Sequence, residues 1–190
     1  MPPNAIFVRP HAWLEVKSYN SGDRPMSGRI VMSTAAAMFL AGASGVLAMP
    51  MNGTFTMHYD KQSPQPIAPD HIKIDASGSG MNKSPGQPLD NAKVTITETA
   101  TLIRGQGPLK GTITFTTPDG TTSSPYTGKV MTDAQGRMTA VGKFKVAKAT
   151  GAFAGLKGSG SFTTAFSSQT DQVTEWKGNF KPPAAMASSR

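Results

Sequence analysis

Beyond residue 50 the chain alternates apolar and polar residues, segment after segment. In "GTFTMHYD", Phe55, Met57 and Tyr59 share one face, and Thr54, Thr56 and His58 share the other. "HIKIDA" sets Ile72 and Ile74 against Lys73 and Asp75. "KVTITETATLI" sets Val94, Ile96, Glu98, Ala100 and Leu102 against a row of threonines. The same period runs through "GTITFTT", "PYTGKVM", "VGKFKVA" and "QVTEWKGNF", where Trp176, Gly178 and Phe180 align. A period of two places successive side chains on opposite faces of an extended strand, so it specifies half-buried β-structure and excludes amphipathic helices. Turn signals such as "PDG" at 118–120 and "DAQG" at 133–136 separate the runs. Eight strands with short links and one apolar face can close on themselves, which removes the unpaired edges. The expected fold is all-β: a single eight-stranded antiparallel closed barrel over residues 49–181.

"ATGAFAGLKGSGSFTTAF", from Ala149 to Phe166, sharpens that expectation. The period puts Leu156, Gly158, Gly160, Phe162 and Phe166 on the inner face, and Gly128, Gly142 and Gly178 also face inward. Glycines inside a small barrel allow sharp coiling and leave room for rings from neighbouring strands. A phosphate loop does not explain this stretch, because it lacks the Gly-Lys-Ser/Thr ending and no helix follows it.

These residues carry a resemblance. "ATGAFAGLKGSGSFT" is similar to the glycine-rich hairpin of the allene oxide cyclase-like barrel superfamily, which includes allene oxide cyclases, dirigent proteins and many secreted bacterial proteins of unassigned role. "MNGTFTMHYD" is similar to the first strand of such proteins. The resemblance implies an eight-stranded antiparallel barrel with a small apolar cavity, and a dimer or trimer. It does not imply cyclase or dirigent chemistry, since those families' catalytic residues do not align onto this chain.

Residues 1–48 read as an N-terminal extension and a secretory signal. "RIVMSTAAAMFLAGASGVLA" has a basic start, an apolar middle and small residues near its end at Ala48. Its serines and glycines weaken it as a lasting membrane span. The expectation is export, secreted or periplasmic, with cleavage near Ala48; translation starts at Met1, Met26 or Met32. Residues 182–190 read as a disordered tail.

Composition narrows the chemistry. With no cysteine, disulfides, thiolate metal sites and cysteine nucleophiles are excluded. The net charge is +8, but the basic residues are scattered singly and no run of them forms a stripe that could track phosphates, which argues against nucleic acid as a partner. His58 and His71 lack the companions of a zinc site, so neither metal nor cofactor is expected.

Glu98 is the sharpest oddity, a carboxylate on the apolar face between Ile96 and Ala100. Inside a barrel it would have a raised pKa and could act as a general base or grip a polar group. A β-bulge that turns it outward, or a position at the barrel mouth, are the alternatives. Tyr59, Tyr126 and Trp176 also face inward. They either line a ligand pocket with Glu98 or simply fill the core. The expected function is binding of a small apolar ligand in the barrel; a ligand-free oligomeric module and a cyclase- or isomerase-like enzyme using Glu98 are the alternatives.

Overall fold

A computed structural model describes residues 48–183. The expected signal segment, and the tail beyond Pro183, lie outside the described residues. The described chain is all-β. Its strands are β1 (Met49–Ala68), β2 (His71–Lys83), β3 (Lys93–Ile103), β4 (Gly107–Thr117), β5 (Gly120–Thr132), β6 (Met138–Lys145), β7 (Lys148–Ala149), β8 (Lys157–Phe166) and β9 (Asp171–Lys181). Each neighbouring pair is antiparallel. The order β4-β3-β2-β1-β9-β8-β6-β5 is closed by pairing of β4 with β5. The result is an eight-stranded barrel, with β7 a two-residue outer strand on Thr122 and Ser123 of β5.

Two differences from the sequence expectation concern strand length. β1 continues past Asp60, through two prolines, to Ala68, and β2 continues past Ala76 to Lys83. A register shift between Tyr59 and Lys61 leaves Asp60 as a bulge. Before it, β1 pairs with both β2 and β9; the β9 pairing ends at His58–Asp171. From Ser63 on, among the described residues, β1 has only β2 beside it. Pro64 and Pro66 oppose Ile74 and Ile72. A proline nitrogen has no hydrogen to donate, so prolines fit a strand whose outer edge is free.

The topology fixes two barrel ends. The β2–β3, β4–β5 and β6–β8 connections gather at one end. There Leu89 and Ala92 of the first link, and Phe153 and Leu156 of the last, are buried in the core. Phe153 lies on a single 3-10 turn, Gly151–Phe153. Gly151 enters that turn at φ +61°, and a Cβ there would lie 2.1 Å from the carbonyl oxygen of Asp119, so only glycine fits.

The inward glycines support aromatic rings. A Cβ on Gly142 would lie 2.4 Å from the ring of Phe162, on Gly160 2.5 Å from Phe144, and on Gly158 2.4 Å from Phe180. In each case the ring, on an adjacent strand, covers bare backbone. Phe115, Phe144 and Phe180 surround Trp176, with ring centroids 5.6, 6.3 and 6.3 Å from it. Together these rings fill much of the interior.

Candidate functional site

Glu98 sits in mid-barrel on β3, in a cross-strand row Ala76–Glu98–Gly111–Tyr126–Phe144. The bulge foreseen as an alternative falls at Asp60 instead, so the alternation of β3 is unbroken and Glu98 faces inward. Tyr126 spans the width of β4 to reach it, crossing Gly111. Tyr59 arrives from β1 on the other side, one step along the barrel, opposite Gly78 and Ile96.

The carboxyl group lies between the two phenols. Tyr59 Oη is 2.5 Å from Glu98 Oε1, and Tyr126 Oη contacts Glu98 Oε2. Tyr59 Oη is also 3.2 Å from Oε1 of Gln172, whose Nε2 lies 3.6 Å from Met57 Sδ. Among the described residues, no lysine or arginine joins the group. Burial raises the Glu98 pKa; hydrogen bonds from Tyr126 and Tyr59 oppose the shift without cancelling it. Both phenols are raised far above the ordinary tyrosine range, first by burial and then by the neighbouring Glu98 charge.

Each form of Glu98 has its own hydrogen-bond pattern. If Glu98 is ionised, both phenols donate to it, and Tyr59 has no second hydrogen for Gln172 Oε1. If Glu98 is protonated, it donates to Tyr59 Oη. Tyr59 then donates to Gln172, Tyr126 donates to Glu98 Oε2, and every contact carries one proton. With the Gln172 amide turned over, its nitrogen donates to Tyr59 Oη and the ionised form is satisfied as well, so it is burial that favours the neutral carboxyl group. Such a group can give up a proton, or accept a hydrogen bond from a ligand hydroxyl or amine.

Trp176 does not make this cluster. Its indole N–H donates to Asn82 Oδ1 at 2.9 Å, and the buried Asn82 amide donates to Ser84 Oγ and to the Leu89 carbonyl, each at 2.7 Å. Sequence reasoning missed Gln172 and Asn82. Gln172 occupies an inward position of a strand whose alternation was legible, but Tyr59 and Met57 reach it from a strand distant in sequence; Asn82 lies beyond Ala76, where the alternating run read from sequence ended, and Trp176 likewise comes from far along the chain.

The space between the side chains is a cavity of about 50 Å³ lined by Glu98, Tyr126, Phe144, Phe162, Phe166 and Trp176, among others. That holds a few waters at most, whereas ligand pockets usually measure roughly 300–1,000 Å³. The expected cavity exists and is largely filled.

On the outer wall, His58 Nδ1 lies 2.8 Å from Asp171 Oδ1, and this contact, with Ser168 and Thr170, lowers the Asp171 pKa to about 2. Among the described residues, no three histidine or carboxylate side chains group as a metal would require. No protein-family model matches the chain, and a search of curated proteins finds no match to it.

Proposed function

We propose that this chain is an exported β-barrel protein that binds a small ligand, apolar except for one polar group, inside the barrel at Glu98. One observation carries this reading: a carboxyl group held between Tyr59 and Tyr126 in an interior otherwise lined mostly by aliphatic and aromatic side chains. Burying a carboxyl costs stability that an aliphatic residue would not, and such groups concentrate at sites that bind or react. Export rests on the character of residues 29–48. Kinship with the allene oxide cyclase-like barrels rests on the 149–163 hairpin and on the closed eight-stranded architecture that kinship implies. The ligand must displace a ring; Phe162, which packs edge-on to Tyr126 at 5.5 Å, is the one beside the polar group. A cyclisation or isomerisation at the same site would use Glu98 as its proton donor or acceptor.

A second reading, a ligand-free oligomeric module, is favoured by the cavity volume of about 50 Å³. Native mass spectrometry of the protein purified from an exported fraction separates the two. A co-purified small molecule, lost in Tyr126→Ala, supports binding. A clean apo mass in discrete oligomers gives the structural module first place.

A further inference from the structure

The outer wall formed by β4, β5, β6, β8 and β9 carries seven exposed lysines: Lys110, Lys129, Lys143, Lys145, Lys157, Lys177 and Lys181. Register orders them. Lys110, Thr127, Lys143, Ser161, Lys177 and Asn52 are successive cross-strand neighbours, a continuous row over six strands. With strands about 4.8 Å apart, its lysines recur about every 10 Å with a hydroxyl side chain between. Lys145 faces Ser159 and then Asn179 in the next row. Beyond it, Lys157 lies directly opposite Lys181, a like-charge pair that costs stability.

Among the described residues these lysines form no ion pair, although the charge of Lys110 reaches Asp75, two strands away, and helps to lower its pKa. The ion pairs among the described residues are His58–Asp171, Lys73–Asp75, Arg104–Asp70 and Arg137–Asp133, and none uses a wall lysine. Glu175 is the one carboxylate on these outer faces besides Asp171, which His58 engages. A barrel that needed only solubility would intersperse both signs.

We propose that this wall is a docking surface for an acidic polysaccharide. Its chemistry selects among polyanions. The outward positions of these strands hold no aromatic residue on which bases could stack. Their exposed large apolar residues are Val141 and Val173 alone, too few to enter a bilayer. Thr127, Ser159, Ser161, Thr163 and Asn179 supply donors and acceptors for sugar hydroxyls between the lysines that meet carboxylates. This inference stands independently of a ligand at Glu98.

The test is binding of the full chain to hyaluronate, whose carboxylates fall on alternate sugars, at physiological ionic strength. Lys143→Gln/Lys177→Gln should weaken binding about tenfold or more, since each lysine releases counterions on contact. Lys61→Gln/Lys93→Gln, the same charge change elsewhere, should weaken it less than about twofold. Lys143→Arg/Lys177→Arg, which keeps the charge, should bind as the wild type does. Equal losses in the two glutamine variants would reduce the effect to net charge and overturn the proposal. So would an absence of wild-type binding, or tighter binding to phosphatidylglycerol vesicles or to oligothymidylate.

Discussion

Tyr126 and Glu98 meet across a residue that has no side chain. They stand on β5 and β3 with Gly111 of β4 between them, and a Cβ there would lie 2.7 Å from both Cζ and Oη of the phenol. The contact between phenol and carboxyl therefore depends on what is missing at 111 as much as on the two groups themselves.

Gly111→Ala should destabilise the protein by about 1–3 kcal/mol, because the new methyl meets the Tyr126 ring and also lies 2.5 Å from the Thr97 carbonyl oxygen. Urea denaturation measures the loss. Adding Tyr126→Ala should recover part of it, because the ring is one of the two obstacles. A neutral Gly111→Ala would mean that both the ring and the Thr97 backbone have room to move aside.

Glu98→Gln should change the pH dependence of stability. The folded-state pKa of Glu98 is raised above its ordinary 4.5. The group therefore favours folding fully below the unfolded value, and this contribution is lost as pH rises through the folded value. Wild-type Tm should fall relative to Glu98→Gln as pH rises from 4.5, then run parallel to it once Glu98 has ionised. Calorimetry across this range reads the difference; a gap that is constant with pH would contradict a raised pKa.

Asn82→Ala should cost about 2–4 kcal/mol. Asn82 is fully buried, and its loss leaves the Trp176 indole N–H and the Leu89 carbonyl without this partner and opens a small void. Trp176 fluorescence during urea unfolding reports the shift directly.

Pro64→Thr/Pro66→Thr should promote association between chains. The variant returns two N–H donors to the part of β1 that has a partner on one side only, and unpaired edges recruit other strands. Light scattering over a concentration series should show larger species than in the wild type. Unchanged scattering would show that this edge is guarded by something other than its prolines.

The alternation of β3 and β8 was legible residue by residue, because a period of two leaves no other way to bury Val94, Ile96 and Leu102, or Phe162 and Phe166. Glu98, Tyr59 and Tyr126 were legible as inward-facing for the same reason. The reach of β1 to Ala68 was not. Pro64 and Pro66 argue locally against a strand, and only the absence of a second neighbour among the described residues makes them acceptable there. Trp176 could not be separated from the Glu98 group either, since period gives a face but not a depth along the barrel axis.

Sequence alone therefore determined the class of fold, the inner and outer faces and the residues admitted to the interior, since side-chain alternation is a local property of each strand. The tertiary structure decided which of those residues touch. Closing the sheet set the register that lays Tyr126 over Gly111 onto Glu98, sent Trp176 to Asn82, aligned Lys110, Lys143 and Lys177 on one wall, and reduced the cavity to about 50 Å³. Those contacts join residues tens of positions apart, and no local pattern encodes the register that brings them together.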